Sequence, residues 1–136
     1  METTQTKLGK FVYLPEIKTL HWEWLQTTED ASWEEMQKAM IEYAEAAERF
    51  KAESHIINEK NQYFTFIPDY QTWIDQNVSP RTIKSGCKRF ALVKSDDIFI
   101  EVAVQQIFEE ENTRQIQLQM FNSVDEAKSW IKKLVN

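Results

Sequence analysis

Lys88-Arg89-Phe90-Ala91-Leu92-Val93 is a short apolar run, and Ser95-Asp96-Asp97 opens a helical pattern directly after it. Ile116-Gln117-Leu118-Gln119-Met120-Phe121 is a second strand-like run. Ser123-Val124-Asp125-Glu126 then heads a helix that carries Ala127, Trp130, Ile131 and Leu134. The stretch from Lys88 to Val135 therefore reads strand, helix, strand, helix. Parallel neighbours cannot be joined by a tight turn, so this alternation predicts parallel pairing through right-handed crossovers. The fold class is α/β.

The pattern continues upstream. Lys10-Phe11-Val12-Tyr13-Leu14 reads as a strand, broken by Pro15-Glu16. Ile17 to Leu25 reads as a second strand, with Leu20, Trp22 and Trp24 on one face and His21 and Glu23 on the other. The short link predicts an antiparallel pair. Ser32-Trp33-Glu34-Glu35 is a capping-box pattern. The helix it opens has an apolar stripe of Trp33, Met36, Met40, Tyr43, Ala44, Ala47 and Phe50. Ser54-His55-Ile56-Ile57-Asn58 is a third strand, and Pro68-Asp69 suits a further helix start, because proline lacks the amide that is unpaired there anyway. After Asp97, the residues Ile98, Phe99, Val102, Ala103 and Ile107 fit one buried helix face. The expectation is one domain over residues 10–136: a mixed sheet of about five strands with about four helices. Residues 1–9 are polar and unpatterned, and read as a frayed lead-in.

Composition excludes several function classes. With 136 residues the chain suits one domain, and 5 Trp, 8 Phe and 4 Tyr against 2 Gly and 3 Pro favour a packed core over disorder. The formal net charge of -6 repels phosphate backbones and anionic lipid, which argues against nucleic acid as a partner. Lys84, Lys88 and Arg89 are the best candidates for a local basic patch, and read as solvated surface. A lone cysteine, Cys87, excludes an internal disulfide and reads as a buried, inert thiol. No secretory or membrane-spanning run stands out, so a cytoplasmic location is the default expectation.

Three segments carry a family resemblance: Gln71-Thr72-Trp73-Ile74, Gly86-Cys87-Lys88-Arg89-Phe90-Ala91-Leu92-Val93, and Phe121-Asn122-Ser123-Val124-Asp125-Glu126-Ala127-Lys128-Ser129-Trp130-Ile131. In their order and spacing, from about Lys10 to Leu134, the chain resembles the STAS fold of bacterial anti-sigma-factor antagonists, and within it the SpoIIAA-like group. That group is also similar to the core of the CRAL-TRIO lipid-binding proteins. The resemblance implies a non-enzymatic module for protein–protein regulation, or one that binds a small or lipid-like ligand. Anti-sigma-factor antagonists carry an Asp-Ser-Ser-Gly motif with a phosphorylated serine after the third strand. Here the matching place reads Phe66-Ile67-Pro68-Asp69-Tyr70-Gln71, with neither serine nor glycine. A phosphoserine switch is therefore not expected.

Tests for chemistry point the same way. His21 and His55 fall on different strands with no carboxylate or thiol at metal-ligand spacing. Two glycines make no phosphate loop. No cofactor, metal or catalytic residue is expected. What stands out is an aromatic cluster, Tyr63, Phe64, Phe66, Tyr70 and Trp73, beyond the third strand. It fills the core and pins a loop, or it forms an apolar pocket rimmed by Asn58 and Glu59. Asn58, Glu59, Tyr63, Phe66, Asp69, Tyr70 and Trp73 are thus the expected partner or ligand face. The partner is a regulatory protein or a small apolar ligand, and the chain is a monomer or a homodimer, with Lys10–Leu14 as a possible pairing edge.

Overall fold

The computed structural model describes residues 2–135. Six strands form one sheet in sequential order: β1 (Thr4–Gln5), β2 (Gly9–Leu14), β3 (Thr19–Trp24), β4 (Ser54–Asn58), β5 (Arg89–Val93) and β6 (Gln117–Phe121). The pairs β1/β2 and β2/β3 are antiparallel, and β3/β4, β4/β5 and β5/β6 are parallel. The α-helices are α1 (Trp33–Phe50), α2 (Pro68–Asn77), α3 (Ser79–Lys84), α4 (Ile98–Ile107) and α5 (Val124–Val135). This is the expected mixed α/β sheet.

Two details differ from the sequence reading. Within the segment expected to fray, Thr4 and Gln5 pair with Phe11 and Lys10, and Leu8 is 2% exposed. Burying one large aliphatic side chain gains about 1.5–3 kcal/mol, and the pairing of β1 with β2 and the bond from Leu25 N to Leu8 O (2.8 Å) add to the Leu8 anchor. The expected edge strand Lys10–Leu14 is thereby half covered. The second strand, expected from Ile17 to Leu25, runs from Thr19 to Trp24, because a 3-10 turn at Pro15–Ile17 takes up Ile17 and ends at Lys18 in the left-handed region, φ 48°.

The helices that follow β3, β4 and β5, α1 to α4, form one layer, and α5, which follows β6, covers the other face. The strands split accordingly. Leu20, Trp22, Trp24, Ile57, Phe90 and Leu92 join the core beneath α1–α4. Ile56, Ala91 and Val93 face Ala127 and Ile131 of α5. The alternation follows from the period-2 geometry of a strand buried on both faces. At Ser32 the capping box is complete, with Glu35 N donating to Ser32 Oγ (3.1 Å) and Ser32 N to Glu35 Oε1 (3.0 Å). Gly9 is where β2 passes over Trp22: a Cβ there would lie 2.4 Å from Trp22 Cζ2.

A buried acid holds the helical layer to the loop before β6. Asp75 on α2 is 4% exposed. Its Oδ1 accepts from Asn112 N (3.0 Å), Thr113 N (2.8 Å) and Thr113 Oγ1 (2.8 Å). Ser79 and Thr113 pair their hydroxyls at 2.6 Å.

Candidate functional site

The strand order never reverses, so the sheet has no switch-point crevice of the kind that seats ligands in doubly wound folds. The interior space lies instead beneath the helical layer. An apolar cavity of about 90 Å³ sits between the sheet and α1–α4, walled by Trp22, Trp24, Phe66, Phe90, Leu92 and Val104 among others. Glu59 is its one ionisable carboxyl.

Glu59 follows β4 directly, and its backbone N–H donates to Val93 O (2.9 Å), which draws the residue under the helical layer. It is 4% exposed, and its Oε2 has no hydrogen-bond partner. Burial pushes its carboxyl up to about 8, and the charge of Glu101 adds to that, against the pull of Gln62 and Trp24. Glu101 itself, on α4, is 7% exposed, and accepts from Ser95 N (3.3 Å) and Gln105 Nε2 (3.2 Å). Trp22, another residue of the wall, is 1% exposed, and its indole N–H has no acceptor.

The seven residues expected to share one face do not stay together. Glu59 and Phe66 reach the cavity. Asn58 turns back on its own loop, where its Oδ1 accepts from Lys60 N at 3.0 Å. Tyr70 and Trp73 are packing residues: Tyr70 stacks on Trp33 at 3.9 Å between centroids, and Trp73 meets the same ring edge-on at 5.4 Å. Asp69 is an exposed acid in the first turn of α2, where the helix dipole favours it. Tyr63 is 42% exposed. The segment bearing it is fixed by Thr28, whose Oγ1 accepts from Tyr63 N (3.0 Å) and donates to Asn61 O (3.2 Å).

The remaining chemistry-bearing residues sit apart. His55 is fully buried and pairs through Nδ1 with the Tyr43 hydroxyl, and burial lowers its pKa to about 3. His21 lies half-buried on the opposite face of the sheet, its pKa also lowered by burial. Burial pushes the Cys87 thiol up to about 12. Among the described residues no group of three or more His, Cys, Asp or Glu could hold a metal ion, and no helix is long and apolar enough to cross a membrane. Lys88 pairs with Glu53 (3.4 Å), and Arg89 donates to Ser54 Oγ (2.6 Å).

The feature that sequence reasoning misplaced is α4. Ile100, Ala103, Val104 and Ile107 are buried with Glu101, while Ile98, Phe99 and Val102 point outward at 70, 80 and 47% exposure. Ile98, Phe99 and Val102, expected inside, form an outward stripe at helical spacing. The helix is anchored by Asp97, whose Oδ1 accepts from Phe99 N (2.9 Å) and Ile100 N (3.4 Å). Packing against α2, with Gln71 Nε2 donating to Gln106 Oε1 (2.9 Å), fixes which side turns inward. Comparisons of the chain with protein-family models, with curated proteins and with solved structures gave no match.

Proposed function

We propose that this protein is a non-enzymatic regulatory module of the STAS-like, SpoIIAA-like kind that works by docking another protein on the outer face of α4. The observation that carries this reading is the stripe of Ile98, Phe99 and Val102. Large apolar side chains exposed together on one helix mark an interaction surface, whereas a scattered one needs no explanation. Both ends of the stripe are acidic. Asp96 and Asp97 stand before it, and Glu109, Glu110 and Glu111 follow the helix. The fitting partner therefore offers an apolar anchor within a basic rim. Tyr63 and Ile67 are also exposed, on the segment before α2, the helix that packs on α4.

The test is binding measured with Phe99→Glu and, as a control, Tyr70→Phe. Phe99→Glu should abolish capture of the partner without loss of helix content, because the side chain it replaces touches solvent. Equal capture by the wild type and Phe99→Glu would refute the reading.

A second reading, binding or sensing of a small apolar ligand, is favoured by one specific observation, the cavity that Glu59 faces. Native mass spectrometry of the purified protein tests it.

A further inference from the structure

The sheet ends in two edges of different character. At one edge β1 is two residues long, and a very short edge strand resists pairing with another chain. At the other edge β6 runs for five residues, Gln117-Leu118-Gln119-Met120-Phe121. It has no charge and no proline, and its register against β5 is unbroken by a bulge. These are the devices that usually protect an edge.

The ladder fixes which backbone groups are free. Gln117 N donates to Lys88 O (3.2 Å) and Phe121 O accepts from Lys94 N (3.0 Å), so the odd-numbered residues of β6 bond to β5. The N–H and C=O of Leu118 and Met120 therefore point away from the sheet. Among the described residues, no backbone group outside the sheet bonds to either. Leu118 packs against the core beneath α1–α4, and Met120, on the same face of the strand, is 37% exposed. The flanks of β6 are opposite in charge. Arg114 precedes it and Asp125 and Glu126 follow it, all three exposed, and among the described residues none of them is in an ion pair. Asp125 and Glu126 line a groove with Phe121, Ser129, Trp130 and Lys133.

We propose that β6 pairs antiparallel with β6 of a second copy of this chain, about a twofold axis at Gln119, with Arg114 of each chain set toward Asp125 and Glu126 of the other. The occupant is a second copy because the edge is complementary to itself. Two identical edges paired antiparallel are related by a twofold axis, the symmetry that closes a dimer. Centred on Gln119, the pairing puts Leu118 of one chain opposite Met120 of the other, and such a pair exchanges both backbone bonds. This happens on both sides of the axis, and each Leu–Met pair also meets through its side chains. The same register runs the residues before one β6 alongside the start of α5 in the other chain, which brings unlike charges together at both ends. A parallel partner strand would set Arg114 beside Arg114.

The test follows association of the full chain by sedimentation equilibrium. One strand with two charged flanks makes a small contact, so the dimer is expected at micromolar concentrations rather than below. Charge reversal supplies the specific readout. Arg114→Glu, and in a second chain Asp125→Lys with Glu126→Lys, each set like charges against each other, and each should weaken the dimer about tenfold or more. Mixed in equal amounts, the two variant chains face each other with opposite charges at both ends, and should associate as tightly as the wild type. Recovery on mixing also shows that both chains fold. Met120→Lys, which places a charge on the exposed edge, should weaken the dimer by about tenfold as well. In Gln119→Cys the two Cα atoms would lie about 4.5 Å apart across the axis, within disulfide reach, and the chains should link under mild oxidation. Gln117→Cys, which this register holds roughly 13 Å from its own copy, should not link. Cys87 is 6% exposed and stays out of the reaction.

A monomer at every concentration up to about 1 mM overturns the proposal, and so does a mixture of the two charge variants that associates no better than either alone. A dimer dissolved by Phe99→Glu but not by Met120→Lys also overturns it, and moves the contact to α4.

Discussion

Glu59 and Glu101 bury two carboxyl groups beside one another beyond the carboxyl end of the parallel strands, at 4% and 7% exposure. They are not equivalent. Glu101 is satisfied by Ser95 N and Gln105, whereas Glu59 Oε2 is unpaired. Burial in the low-dielectric interior is the larger push on Glu59 toward the neutral form, and the like charge of Glu101 adds to it. That is the physical origin of the raised Glu59 carboxyl.

The asymmetry gives the fold a pH signature. Glu59 titrates near 8 when folded and near its ordinary 4.5 when unfolded, so between those values the folded state holds the extra proton. Its contribution is fully present below about 4.5 and is lost as pH rises through 8. His55 acts in the opposite sense. It is held neutral down to about 3 against an ordinary 6.5, so its contribution is present above 6.5 and is lost as pH falls toward 3. The two slopes oppose each other between 4.5 and 6.5, and Glu59 alone acts from 6.5 to 8. Urea unfolding across pH 5 to 8.5 should show stability declining above neutrality, by on the order of a few kcal/mol. Glu59→Gln should flatten that decline and be the more stable protein at the alkaline end. A wild-type curve flat through this range would mean that Glu59 is ionised in the folded protein.

Asp75 supports a different prediction. It accepts from two backbone amides and one hydroxyl of the Asn112–Thr113 turn, all of which lose their acceptor in Asp75→Ala. Each buried donor left without its acceptor costs about 1–3 kcal/mol, and several are orphaned together here. Denaturant titration should show a loss of that order, and hydrogen exchange should quicken first in residues 108–116. A loss below about 1 kcal/mol, the level of a surface substitution, would contradict the role assigned to Asp75.

Tyr43 and His55 test the inner wall of the sheet. The Tyr43 hydroxyl is the partner of His55 Nδ1, and both residues are buried. Tyr43→Phe keeps the ring and removes only that partner. The expected cost is about 1–3 kcal/mol, the penalty of an orphaned buried polar atom. The alternative outcome, a neutral substitution, would show that His55 finds another partner.

Gly9 makes a steric prediction. In Gly9→Ala the new methyl would press on the Trp22 ring at 2.4 Å, so the ring or β2 must move. Overpacking of this kind costs about 1–3 kcal/mol. Near-ultraviolet circular dichroism should change with it, because Trp22 also contacts Trp24 and Tyr43 edge-on at 5.4 and 5.6 Å.

Most of the architecture is legible in the chain because it is written in local signals. The capping box at Ser32, the proline at Pro68 and the alternation of Leu20, Trp22 and Trp24 each act within one element, and each lies where its chemistry requires. What the chain conceals depends on neighbours. Ile98-Phe99-Ile100-Glu101-Val102-Ala103-Val104 is apolar on nearly every side, so hydrophobic spacing cannot say which side faces the core. The placement of α2 decides it, and leaves Phe99 in solvent. Glu101 and Asp75 look like ordinary surface acids, and Glu59 like the rim of a pocket rather than part of its wall, because burial is set by residues far away in sequence. Leu8 was the signal available for the amino-terminal segment: one large aliphatic residue in a polar stretch, two positions before a strand. The cavity itself leaves no local mark, since it is the space between residues of several elements.

The proposed function stands or falls with the docking of another protein on the outer face of α4. Photo-crosslinking in the native cell, with a benzophenone analogue of phenylalanine in place of Phe99 and, in a parallel strain, of Asn77, tests it most directly. A discrete adduct is expected from position 99 and none from position 77. The attached peptide should carry apolar residues flanked by Lys or Arg, and Val102→Asp should abolish the adduct. No adduct from position 99, or the same adducts from both positions, would contradict it.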